Sequence, residues 1–152
     1  MSQKRLMREL SQWDPTNGLA VTLPNESNLY LWHIAFTCTE GEFQGETHRL
    51  QFEIPHRYPV EPPEVIFLTP IEHKHVYSNG HICLSILYVT GDEKTSWTPT
   101  LSIEKIALSI QSMCYNPAMR GRPHDDRKYI MMCARNGQRP SMTEFQFDDE
   151  TC

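Results

Sequence analysis

Hydrophobic spacing along the chain switches from a helical period to a strand period and back. In residues 3–13 the apolar positions Leu6, Leu10 and Trp13 recur at helical spacing, with Lys4, Arg5, Arg8 and Glu9 on other faces. This predicts an amphipathic helix, ended by the stretch from Pro15 to Gly18. Four runs then read as strands, over residues 19–23, 30–37, 49–54 and 64–67. The second is rich in aromatic and branched side chains, which suit a pleated, half-buried surface. Asn25-Glu26-Ser27-Asn28 and Glu40-Gly41-Glu42 are turn signals between runs, so an antiparallel meander is expected. Ile103, Ile106, Ala107 and Ile110 trace one face of a further helix, with Met113 a turn beyond and Ser102 as its N-cap. Asn116-Pro117 stops it. A last helix is expected over residues 124–136, with Asp125 and Asp126 near its start and Gly137 after its end.

Prolines 55, 59, 62 and 63 crowd the crossing after the last strand. They fix φ and lack N–H donors, which excludes a central strand or helix interior there. Residues 73–87 are expected to be irregular. Residues 138–152 are polar with a few aromatics and are expected to form a loosely held, flexible tail. Helix, four strands, a long irregular segment and then helices make an α+β pattern. With 152 residues and no repeat or linker, one domain over 1–152 is expected.

Composition narrows the function. A net charge of −5 and a pI near 5.8 argue against nucleic acid as the main partner. No stretch is long and apolar enough for a membrane span, and the first residues carry no apolar signal region. A cytoplasmic or nuclear protein is expected, with no membrane partner. The five cysteines show no paired spacing, so reduced thiols are expected.

The chemistry concentrates where His73, His75, His81 and Cys83 fall within eleven residues. Such a cluster is either a metal site or the surroundings of a reactive sulfur. As a zinc-binding interaction module these four would supply the right ligand types and number, but H-x-H-x5-H-x-C is not a common zinc spacing and no Cys-x-x-Cys is present. A cysteine hydrolase with a histidine partner is a further reading.

The order of elements, Tyr58-Pro59-x-x-Pro62-Pro63, the segment from His73 to Cys83, and Trp97-Thr98-Pro99 together resemble ubiquitin-conjugating enzymes, the E2 class, over nearly the whole chain. Residues 75–87 resemble the W-type branch, which attaches ubiquitin to protein N-termini. So do Arg122-Pro123, Asp125, Tyr129, Cys133, Asn136-Gly137 and Asp148-Asp149, and so does a tail too short and polar for the two further helices of most relatives. The resemblance implies the UBC fold: an N-terminal helix, a four-stranded antiparallel meander, an active-site loop, a central crossover helix and a short irregular C-terminal region. It implies ubiquitin, the E1 activating enzyme, RING or U-box E3 ligases and substrates with flexible N-termini as partners. No metal and no cofactor are implied, ATP being used by E1.

Carried onto this chain, the resemblance makes Cys83 the acceptor of the ubiquitin C-terminus as a thioester; the thiolate is the attacking form. His73 orders the loop. His75 replaces the asparagine that stabilises loop and oxyanion, and its imidazole can donate to an oxyanion or hold the loop. Tyr77, Ser78 and Asn79 shape the turn, and Gly80 permits its backbone angles. Ser85 stands where many members carry aspartate, leaving Asp125 as a candidate acid. A site that does little to lower the pKa of the amine would favour N-termini. An α-amino group titrates near 7.7–8.0 and lysine near 10.4, a gap of roughly 3.4 kcal/mol. Leu101, Leu108 and Ser112 would meet the donor ubiquitin, and Lys4, Arg5 and Arg8 the activating enzyme. Val60, Pro62, Trp97 and Pro99 would frame the ligase surface, though Trp97 can instead pack the loop against the core. Phe145 and Phe147 would engage substrate N-termini or dock on the body. Three departures stand out: Lys74 replaces the usual proline, Val60 replaces a common phenylalanine, and residues 88–96 form a longer stretch than the basic pattern.

Overall fold

Alternation in the second strand separates a dry sheet face from a wetter one. The computed structural model describes residues 2–89 and 96–136. Strand β1 is Ala20–Thr22, β2 Leu31–Thr37, β3 Thr47–Glu53 and β4 Glu64–Phe67. β2 buries Trp32, Ile34 and Phe36, β3 buries His48, Leu50 and Phe52, and β4 buries Val65 and Phe67. All neighbours pair antiparallel in the order β1-β2-β3-β4. The register sets Trp32 opposite Phe52 and Phe52 opposite Val65, so the buried positions share one face, as strand pleating requires.

That face is covered by helical side chains. Helix α1, Ser2–Ser11, contributes Leu6; helix α2, Ile103–Tyr115, contributes Ile103, Ile106, Ala107 and Ile110 to the same continuous core. Helix α3, Asp126–Asn136, follows. Each expected element is present, its ends shifted by at most a residue or two. The segment 73–87 is more ordered than expected. It carries bridges Ile66↔His81 and Val76↔Ile82 and a 3-10 turn over Ser85–Leu87. The expected tail lies outside the described residues.

One buried carboxylate ties these layers together. Glu9 accepts from Arg5 Nε at 2.7 Å and from the Tyr58 hydroxyl at 2.6 Å, while its other oxygen accepts the Ile103 N–H at 2.8 Å. A buried charge persists only when paired and hydrogen-bonded in this way. Burial and the Glu9 carboxylate push the Tyr58 phenol well above its ordinary range. Arg5 also donates to the carbonyls of Pro99 and Leu101, at 3.0 and 2.8 Å. Arg5 is therefore a brace between α1 and the approach to α2, whereas Lys4 and Arg8 are exposed.

Candidate active site

The loop before Cys83 is built on His73. This ring is fully buried; its Nε2–H donates to the Met113 carbonyl at 3.0 Å, and its Nδ1 accepts the His75 N–H at 2.9 Å. Desolvation, with the neighbouring His75 adding to it, pulls its pKa down to about 4. A neutral ring with both nitrogens engaged has no lone pair left for a metal. Among the described residues no group of three His, Cys, Asp or Glu could hold a metal ion. These two bonds tie the start of the loop to the end of α2. Lys74 is exposed, its N–H on the Met119 carbonyl at 2.9 Å.

His75 spans the gap to the cysteine, its carbonyl accepting the Cys83 N–H at 2.7 Å. Between them the chain turns at Gly80, whose N–H donates to Tyr77 O at 2.9 Å. Gly80 has φ +92, and a Cβ there would lie 2.5 Å from the Phe67 carbonyl oxygen, so both conformation and space require glycine. Asn79 Oδ1 accepts the His81 N–H at 3.1 Å, closing the turn.

Cys83 is fully buried, and Cys38, Cys114 and Cys133 are free. Burial pushes the Cys38 and Cys114 thiols up, which marks them as inert packing residues.

Two walls flank the cysteine. On the α2 side, His75, Leu84, Leu108 and Ser112 line a groove of about 460 Å³. Leu108 and Ser112 are exposed on the helix and Leu101 is half-buried near its start, so three residues expected to meet a donor lie on or beside one helix. On the α3 side, Tyr77, Cys83 and Tyr129 form a small cluster of their own, joined by Ile130, Met132 and Cys133. The Tyr77 and Tyr129 rings stack with centroids 3.9 Å apart. Tyr77 donates to Asp125 Oδ2 at 3.2 Å, and burial with that carboxylate raises the phenol far above its ordinary value. The Tyr129 hydroxyl is 2.8 Å from His81 Nδ1, which gives His81 a packing role. Asp126 accepts the Ser78 N–H at 2.8 Å, and Arg122 donates to the carbonyls of Ile71 and Val76 at 2.6 and 3.1 Å.

Asp125, the candidate acid, is 5% exposed. Ser85 opens the 3-10 turn, and the inserted stretch is clasped at its base by Trp97 N–H on Tyr88 O at 2.9 Å. Trp97 is buried, its indole N–H on Pro59 O at 3.0 Å, so it packs the loop. Val60 is 62% exposed, Pro99 exposed and Pro62 half-buried. Of the residues that tie α3 to the loop through hydrogen bonds, the sequence singled out Tyr77, Ser78 and Asp125 in other roles and Asp126 only as an acid near the helix start. Arg122 and Tyr129 stood out there only through family resemblance, and nothing marked Glu9 as more than a charge on another face of the first helix.

The comparisons agree with this arrangement. The family model for ubiquitin-conjugating enzymes matches residues 5–143. The chain is 39% identical to ubiquitin-conjugating enzyme 15 of Arabidopsis thaliana, covering 96% of this chain and 88% of that one. It is 40% identical to ubiquitin-conjugating enzyme E2 W of Caenorhabditis elegans, covering 97% and 95%, and 40% identical to a probable E2 W-A of Danio rerio, covering 99% and 97%. The crystal structure of the E2 UbcA1 from Agrocybe aegerita superposes with a TM-score of 0.70 at 31% identity, over 85% of this chain and 90% of that one. Human E2 G1 gives 0.65 at 28%, over 76% and 92%. The chain therefore belongs to the ubiquitin-conjugating E2 enzymes, which are ubiquitin transferases, and to their W-type branch.

Proposed function

We propose that this chain takes ubiquitin from E1 as a thioester on reduced Cys83 and passes it to the α-amino group of a flexible protein N-terminus, with a RING or U-box ligase. The observation that carries the choice of amine is the placement of the candidate acids. Ser85 brings no carboxylate, and Asp125 is buried with one oxygen held by the Tyr77 hydroxyl. An acceptor that must arrive largely deprotonated favours an α-amine over lysine by the pKa gap of about 2.5 units. In the transfer, the amine nitrogen adds to the thioester carbonyl and its proton leaves to solvent. The oxyanion then collapses, the C–S bond breaks, an amide forms, and Cys83 departs as thiolate. His75 lines the α2-side groove, and in this reading its imidazole donates to that oxyanion or holds the loop. Leu101, Leu108 and Ser112 carry the donor ubiquitin, Lys4 and Arg8 face E1, and Val60, Pro62 and Pro99 face the ligase. Cytoplasm and nucleus are the compartments proposed.

The test is charging of reduced protein with E1, ubiquitin and ATP. A thiol-sensitive adduct should form, be absent in Cys83→Ala and become reductant-resistant in Cys83→Ser. Discharge onto a lysine-free peptide with a free N-terminus should outpace discharge onto free lysine near neutral pH; equal rates would remove the N-terminal preference.

A further inference from the structure

The outer side of α3 carries a feature that the transfer chemistry does not use. A groove of about 460 Å³ runs there, with Arg127, Lys128 and Arg135 supplying cations and Met131 and Met132 an apolar floor. Met131 is 61% exposed. The whole chain carries −5, whereas α3 carries Arg127, Lys128 and Arg135 against the single carboxylate of Asp126, a local inversion of charge. Among the described residues the ion pairs are Arg5–Glu9, His48–Glu46, Arg57–Glu61 and Arg120–Glu46, and neither Arg127 nor Arg135 takes part. Asp126 is turned to the loop, toward the Ser78 N–H, while Asp125 stands at the edge of the groove with one oxygen held by the Tyr77 hydroxyl.

The groove is continuous with the cysteine's own wall. Met132 lines it and also packs on the Tyr77, Cys83 and Tyr129 cluster, and Asp125 lines it while holding Tyr77. We propose that this groove binds the acceptor polypeptide, namely a flexible N-terminal segment whose α-amine reaches Cys83 and whose next residues are acidic and apolar. The proposal rests on the N-terminal reading above. Arginine matches carboxylates through its planar fork, and methionine adapts to apolar side chains of varied shape. The 11 residues of α3 rise about 16 Å, a length that about five residues of extended peptide cover. The acids that matter therefore lie within roughly the first five or six positions of the acceptor.

The experiment uses the full, reduced, ubiquitin-charged chain and two lysine-free peptides with free N-termini. One carries Asp, Glu and Leu at positions 2–6; the other carries Arg in place of the acids. At low salt the acidic peptide should show a KM about tenfold lower, with the gap narrowing as salt screens it. In R127E/R135E that preference should reverse, with charging by E1 and discharge onto glycinamide unchanged. Equal KM values for the two peptides in the native chain, or a preference that survives charge reversal, would overturn the proposal. So would a gain in R127E/R135E on both peptides alike, which would mean that the chain's own Glu144–Glu150 stretch occupies the groove. Free lysine serves as a further acceptor: a charged enzyme that ignores both peptides yet modifies free lysine would defeat the N-terminal reading itself, which sets that failure apart from failure of the groove.

Discussion

On the α2 side of Cys83 the wall is an extension of the main core, whereas on the α3 side it is a separate small cluster pinned by a few polar contacts. The α2 wall rests on Ile103, Ile106, Ala107 and Ile110, all fully buried in one body with the sheet. The N-terminus of α2 is satisfied twice, by Ser102 Oγ accepting the Lys105 N–H at 3.2 Å and by Glu9 accepting that of Ile103. The α3 wall holds through Tyr77 on Asp125, Ser78 on Asp126, Tyr129 with His81 and Arg122 on two carbonyls. A body with a large shared core opens only with global unfolding, while a small satellite held by discrete bonds opens locally at lower cost. The difference suits a division of labour. The rigid wall would hold a donor that is always ubiquitin, and the lightly held wall would meet acceptors that vary.

The comparison can be broken by stability measurements. Gly80→Ala should have the largest effect, because φ +92 and the Phe67 carbonyl leave a methyl no room. A loss of about 3 kcal/mol is expected in urea unfolding. His73→Ala should follow at about 2–3 kcal/mol, since it removes two hydrogen bonds from a buried site. The same residue sets an acid limb. His73 stays neutral in the fold until about pH 4, whereas in the unfolded chain it protonates near 6.5. Between those values the unfolded state binds more protons, so stability falls as pH drops through the window, by at most roughly 3.4 kcal/mol. His73→Asn should flatten that limb in denaturant midpoints taken from pH 7 to 4.

On the other wall, Tyr129→Phe keeps the stacked ring and removes only the hydroxyl facing His81. About 1 kcal/mol is expected, with faster amide exchange confined to α3 and the turn. Protection lost equally in α2 would show that the two walls are one unit. Ser102→Ala should cost up to about 1 kcal/mol, moderated because Glu9 already serves the same helix end. Leu108→Ala, at an exposed position, should stay within about 0.5 kcal/mol of the native stability yet slow thioester discharge severalfold. An unchanged discharge rate would remove Leu108 from the donor surface.

Local rules made the elements legible. The strand period in β2, the Ile103–Ile110 face, the Ser102 cap and the turn at Gly80 each depend on neighbours a few residues apart. Family motifs carried the reading of Cys83 and of His73. The sequence did not show which charges fold inward. Arg5 and Glu9 look alike with Lys4 and Arg8 on a helical wheel, but Glu9 meets Tyr58 and the Ile103 N–H, which lie 49 and 94 residues away.

The sequence by itself therefore determined the meander, the three helices, the loop glycine and the family to which the chain belongs, because spacing and short motifs encode all of these. Only the tertiary structure decided that Asp125 is a buried partner of Tyr77, that Arg5 is a brace, and that Arg127 and Arg135 stand beside methionines at the cysteine's outer wall. Those outcomes depend on burial and on contacts between distant segments, which packing creates and periodicity does not record.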